Sequence, residues 1–326
     1  MQAVLLGSNF LYAGVGEHTP LYVHSLSVNS YIESAWRFRQ GGSQITSLLI
    51  RELRALGVEL FAENKALAFE YREGKIYSVI TSQQEKYIAT DFVSDIDIKQ
   101  LLSIAGRAHF RPAYYKRIEA LTPVAGVFSL HLVLKKQSFP YLPYNIYWYR
   151  DSSQVWRATH YATDTFPTTY MLSMNPPQNG GAYADNMTIL TYMNAQELSQ
   201  WENSTHTLTA PQGRGVDYEA FKTQKAQQLL EVVYQRFPQL KGCIVAQYTA
   251  TPLTYRDYIG NPTGAIYGYE KNILRTRQNH IMPQTHIPNL YVTGQSVNMH
   301  GLVGVTIGAV LTSMALLGGK IKGIGE

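Results

Sequence analysis

Cysteine is almost absent: Cys243 stands alone in 326 residues. One thiol excludes an intramolecular disulfide and a cysteine-built metal site, and it fits a reducing compartment. Charge is also sparse. Asp, Glu, Lys and Arg make up 16% of the chain, and the net excess of +5 is scattered without a basic run. That scatter argues against nucleic acid as a partner. No apolar stretch reaches the roughly 18 uninterrupted residues of a spanning helix. Residues 303–317 come nearest, but Thr306, Gly308, Thr312 and Ser313 interrupt them, so they read as a buried helix. Met1-Gln2-Ala3 enters apolar sequence without the basic start of a secretory leader. The nine histidines show no His-Glu-x-x-His spacing; His280 and His286 flank Pro283 and read as a surface pair. No Gly-x-Ser-x-Gly turn exists to anchor a hydrolase triad. No dinucleotide fingerprint exists either: Gly14-Val15-Gly16 lacks its third glycine, and Pro20 stops the helix that should follow.

The length suits about two domains of roughly 100–200 residues each. Residues 1–12 read as helical packing. Ile45, Leu48, Leu49, Leu53 and Leu56 form one helical stripe closed by Gly57 as a C-cap, and Val58–Phe61 follows as a strand. Residues 66–71 and 75–81 pair around Arg72-Glu73-Gly74 as a hairpin, and 87–90 and 92–95 add strands. From Gly126 the character changes. Residues 127–134, 145–149, 171–174, 187–192 and 243–250 read as strands. Tyr218–Phe237 reads as an amphipathic helix buried along Phe221, Ala226, Leu229, Leu230, Val233, Tyr234 and Phe237. Tyrosine is frequent, at 24 residues. The ring-rich run 141–149 lacks the basic interleaving of a base-stacking surface and suits a core or the wall of an apolar tunnel.

The most informative segment is near the C-terminus. Leu290–Thr293 reads as a buried strand, Gly294 stops it, and a long apolar helix is entered through Gly301 and Gly304. A helix N-terminus presents unpaired N–H groups and a positive dipole end, and glycine admits a ligand close to the backbone. Such an end can hold an anion or the electron-rich edge of a flavin. A plain strand–helix connection is equally compatible with the residues alone.

The pattern Gly294…Gly301-Leu302-Val303-Gly304-Val305 resembles the C-terminal FAD motif of the phytoene desaturase, carotenoid isomerase and retinol saturase family, most of all its retinol saturase-like, bacterial branch. Gly41-Gly42, Gly57-Val58-Glu59-Leu60 and Asp91-Phe92-Val93-Ser94-Asp95-Ile96-Asp97 are similar to further family segments. So is the run from Thr251-Pro252 through Tyr255 to Gly264 and Gly268. The resemblance covers essentially the whole chain but only the C-terminal part of a family member. It implies a mixed α/β fold: an incomplete FAD/NAD(P)-binding Rossmann-like domain and a sheet-based substrate domain with helices on one face. The implied boundaries are 1–104 (a helical segment and the returning part of the FAD domain), 105–254 (substrate domain) and 255–326 (C-terminal part of the FAD domain).

It implies a FAD-dependent oxidoreductase fragment acting on C–C double bonds of a polyene or lipid-like substrate. The alternative is a non-catalytic remnant or apolar-ligand module that no longer holds FAD. Enzyme status is left open because the N-terminal pyrophosphate loop and ribose acid are missing. Met1 is then an internal methionine, a misassigned start or the edge of a fragment. The cofactor is FAD, contacted through Gly294, Gln295, Gly301, Val303, Gly304 and Val305. Tyr255 and Tyr267 are substrate-side candidates. No catalytic residue is assigned; His300 reads first as a loop hydrogen-bonder and second as a proton donor. The expected partners are a hydrophobic small molecule and a complementing N-terminal half. The expected location is the cytoplasm, with peripheral membrane contact left open.

Overall fold

The computed structural model describes residues 2–39, 41–297 and 299–319. Met1 and Asn298 therefore lie outside the described residues. In chain order the helices are α1 (Gln2–Leu5), α2 (Leu21–Glu33), α3 (Ser43–Ala55), α4 (Ile98–Ala105), α5 (Pro112–Glu119), α6 (Val216–Arg236), α7 (Pro252–Ile259), α8 (Thr276–Asn279) and α9 (Gly301–Leu317). The strands are β1 (Ala66–Arg72), β2 (Lys75–Thr81), β3 (Lys86–Ile88), β4 (Phe92–Ser94), β5 (Gly126–Leu134), β6 (Ile146–Tyr149), β7 (Thr169–Ser173), β8 (Asn186–Met193), β9 (Ile244–Ala250) and β10 (Leu290–Val292). The fold is mixed α/β. Two compact units form: Met1–Glu17 with Leu21–Phe61 and Ala125–Tyr255, and His18–Pro20 with Ala62–Val124 and Arg256–Glu326. Residues 21–61 lie with the five-stranded sheet in the first of these units.

That sheet has the order β6-β7-β8-β5-β9, antiparallel throughout. Strand alternation puts Phe128, Leu130, Leu132 and Leu134 of β5 on one face with Met187 and Ile189 of β8. α6 covers this face with Ala226, Leu229, Leu230 and Val233, as its apolar spacing predicts. Each fully buried leucine or valine among them contributes about 1.5–3 kcal/mol. The other face is closed near Tyr192, whose ring stacks on Phe10 with centroids 4.4 Å apart. One buried residue of α6 breaks the apolar pattern. Lys225 donates to Glu197 Oε2 at 2.5 Å, both side chains being under a tenth exposed. Tyr161 hydroxyl donates to the other oxygen of Glu197. A buried lysine needs such a counter-charge, because an unpaired buried ion is costly.

In the same unit α3 forms over the predicted stripe, and Gly57 follows it at φ +77°. No residue of α3 is buried, and Leu49 is 58% exposed. The strand expected at Val58–Phe61 does not form. A strand exists only through a neighbour's hydrogen bonds; among the described residues these join no sheet, and Val58, Leu60 and Phe61 are exposed.

The second unit carries the hairpin β1–β2, extended by β3. Its turn places Glu73 at φ +50° and Gly74 at φ +75°. Two left-handed residues make the tight turn whose twist matches a hairpin. β4 and β10 form a parallel pair, Leu290 opposite Phe92 and Val292 opposite Ser94. Asn289 fastens the hairpin to β10: its Nδ2 donates to the carbonyls of Ile76 (2.8 Å) and Thr90 (2.9 Å), and its Oδ1 accepts from Ile76 N–H (3.0 Å). β10 is buried, while Val93 of β4 is 52% exposed and the outer edge of β4 pairs with no described strand.

Candidate functional site

The turn from β10 into α9 is shaped by close backbone approaches. Gly294 has φ +83°, and a Cβ there would lie 1.9 Å from Asp95 Oδ1, on the chain leaving β4. Gly268 has φ +72°, and its Cβ would lie 2.7 Å from the carbonyl oxygen of Gln295, a backbone atom that cannot rotate aside. The segment 265–269 therefore lies backbone to backbone on 294–296. That contact brings Tyr267 to His300, ring centroids 4.6 Å apart.

His300 is the N-cap residue of α9 and supplies no side-chain cap; no acidic residue occupies the first turn. Among the described residues, no side-chain cap holds the N–H groups at the positive dipole end of this 17-residue helix. Leu302 and Val303 are 50% and 63% exposed beside it, Gln295 and Val305 are half-buried, and Gly304 is buried. Gly304 has a reason the sequence did not reveal. A Cβ there would lie 2.8 Å from Met299 Cβ and 3.0 Å from its carbonyl carbon, so glycine lets the loop fold onto the first helical turn. Gly301 meets nothing within 4 Å; its requirement is the left-handed φ of +75°. Further along, Thr312 Oγ1 donates to Val292 O at 3.0 Å and ties α9 to β10.

Asp97, just past β4, organises the neighbourhood. Its carboxylate caps α4 by accepting from the N–H groups of Lys99 (3.0 Å) and Gln100 (3.4 Å). It also accepts from Asn261 Nδ2 (3.0 Å) and Tyr269 hydroxyl (2.9 Å to each oxygen). Burial and the adjacent carboxylate push the Tyr269 phenol far above its ordinary range. Desolvation raises the Asp95 carboxyl and lowers Lys271 to about 8. Of the substrate-side candidates, Tyr267 stands beside His300, whereas Tyr255 belongs to the unit with the five-stranded sheet, where burial raises its phenol. Sequence reading missed the roles of Asp95, Asp97 and Gly268. Asp97 before the apolar run of α4 was a readable cap signal; the contacts of Asp95 and Gly268 are long-range and left no local trace. Among the described residues, no group of three His, Cys, Asp or Glu could hold a metal ion, and no helix is long and apolar enough to cross a membrane.

No family model matches the chain. It is 27% identical to the all-trans-retinol 13,14-reductase of Rattus norvegicus over 349 aligned residues, 97% of this chain and 55% of that protein. It is 26% identical to the protein of the same name from Homo sapiens, with the same coverage. An oxidoreductase from Methanosarcina mazei shares the fold, with a TM-score of 0.59 at 13% identity over 97% of this chain and 64% of that one. In sequence the chain is thus similar to the all-trans-retinol 13,14-reductases over nearly its whole length. The chain also matches cyclohexylamine oxidase from Brevibacterium oxydans, at a TM-score of 0.54 and 12% identity over 96% of this chain and 62% of that one, which places it in the amine oxidase-like fold. It spans about half the length of the curated relatives named above. A Danio rerio protein named inactive all-trans-retinol 13,14-reductase matches 48% of it at 28% identity, over 26% of that protein's length.

Proposed function

We propose that this chain supplies the C-terminal part of a FAD-dependent oxidoreductase acting on C–C double bonds of a polyene or other lipid-like molecule. The observation that carries the reading is the uncapped start of α9, entered through a left-handed Gly301 and flanked by exposed apolar side chains. These residues fit the electron-rich edge of a flavin: the N–H groups of the first turn stabilise negative charge there, and no acidic side chain opposes it. The Tyr267–His300 contact braces the loop. FAD, when bound, exchanges a hydride with the substrate. The sequence contains no Gly-x-Gly-x-x-Gly turn for the pyrophosphate, so firm flavin binding is assigned to this chain together with a complementing N-terminal half. The hydrophobic substrate belongs with the five-stranded sheet unit.

The test mixes the purified chain with a separately expressed half carrying the missing strand–turn–helix. Flavin absorbance is read after gel filtration, followed by anaerobic reoxidation of the reduced flavin by retinol or another polyene. Flavin held by the mixture but weakly by either part, with polyene-dependent reoxidation, is the expected result. Stoichiometric flavin on the chain alone would overturn the division of labour. A loaded complex inert to every polyene favours the non-catalytic reading, which the relative named inactive keeps in view.

A further inference from the structure

The unit with the five-stranded sheet holds a cavity of about 710 Å³ between the segment that follows α2 and the β6–β7 edge of the sheet. Its size falls in the range of small-molecule sites, roughly 300–1,000 Å³. Tyr31, Tyr147 and Met171 give it apolar and aromatic surface, with Trp36 beside them 90% exposed, yet two arginines, Arg37 and Arg39, line it and no Asp or Glu among the described residues does. Burial pushes the Tyr147 phenol up to about 12, so this hydroxyl stays neutral at physiological pH.

Arg37 is fixed in place. One terminal nitrogen donates to Asn145 Oδ1 at 2.6 Å and the other to the carbonyl oxygen of Met174. Both acceptors are neutral, so they orient the guanidinium without cancelling its charge. A guanidinium has five N–H donors, and its planar fork matches a carboxylate. Arg39 is exposed and adds a second positive charge to the same lining. Of the two, Arg37 is the half-buried cation whose protein partners are neutral, so an anion is the complement its position leaves open.

We propose that this cavity binds an amphipathic carboxylate, a long-chain or polyene acid whose apolar body lies on the rings and whose carboxylate meets Arg37 and Arg39. The site lies wholly within one unit and needs no flavin, so its failure would leave the reading of the α9 turn standing.

The test uses the full chain and cis-parinaric acid, a fluorescent polyene fatty acid, displaced by oleate or by oleyl alcohol. Saturable one-to-one binding is expected, with oleate competing at least tenfold better than the alcohol. Arg39→Gln, on the exposed side chain, should weaken oleate about five- to tenfold and leave oleyl alcohol unchanged. Arg37→Gln should do the same more strongly, with far-UV circular dichroism showing the sheet intact. Equal competition by acid and alcohol would overturn the proposal, as would indifference of oleate to Arg39→Gln or absence of saturable binding to the folded chain.

Discussion

Replacing Asp97 by alanine should destabilise the unit that carries β4 and β10 more than any single cap loss could. The carboxylate caps α4, and losing a helix cap costs about 0.5–2 kcal/mol. It also accepts from Tyr269 hydroxyl and Asn261 Nδ2, bonds to a charged acceptor worth roughly 1.5–3 kcal/mol each but not additive. Asp97, Asn261 and Tyr269 are all buried, so truncation strands two donors away from water. A total of about 3–5 kcal/mol follows for Asp97→Ala. Asp97→Asn keeps a good cap and one carbonyl oxygen and should cost about half as much. Tyr269→Phe removes one bond and should cost about 1–2 kcal/mol. The assay is urea unfolding followed by circular dichroism on the three single variants and the Asp97→Ala/Tyr269→Phe double variant. The double should fall short of the sum by at least 1 kcal/mol, since the shared bond is lost only once. A cost below 1 kcal/mol for Asp97→Ala, or strict additivity, would refute the assignment of Asp97 as the tie between α4 and the 261–269 segment.

Two further outcomes are expected. Lys271 has its pKa lowered to about 8 by burial, so between pH 8 and the unfolded value near 10.5 the unfolded chain binds more protons and stability rises with pH. Lys271→Met should therefore be more stable than the parent at pH 7, by something of order 2 kcal/mol, and the difference should close as pH climbs through that window in parallel denaturation curves; a pH-independent difference would show the burial reading wrong. Gly304→Val should displace Met299 and loosen the 295–300 loop, because its side chain meets that residue before any ligand. Proteolysis at this loop should accelerate even without flavin, and unchanged cleavage would return Gly304 to a role at the ligand alone.

Periodicity and turn chemistry made much of the architecture readable. The two strands around Glu73-Gly74, the alternation of β5, the stripe of α6 and the strand–glycine–helix order at the C-terminus all come from local rules, and the structure follows them. What local rules could not supply was the partner. Val58–Phe61 has the residues of a strand but joins none of the described sheets; α3 has its stripe, and none of its residues is buried among the described residues. In the candidate turn, Gly301 was readable because its need is conformational. Gly268 and Gly304 required knowing which backbone stands opposite, and Asp97 required knowing that residues 164 and 172 positions away would converge on it. The Arg37 cavity depends on contacts across 108 and 137 residues, which no window along the chain contains.

α9 leaves Leu302, Val303, Ile307, Leu311 and Leu317 between 42% and 72% exposed on a helix with no charged residue. To the quality-control machinery of a cell, such a helix is indistinguishable from unfinished folding. The steady-state amount of this chain would then be set less by its own unfolding free energy than by the concentration of whatever covers α9, because a ligand of the native state stabilises by mass action. Expression level would report on the supply of that cover, and overproducing the chain alone would enrich it in aggregates and chaperone complexes.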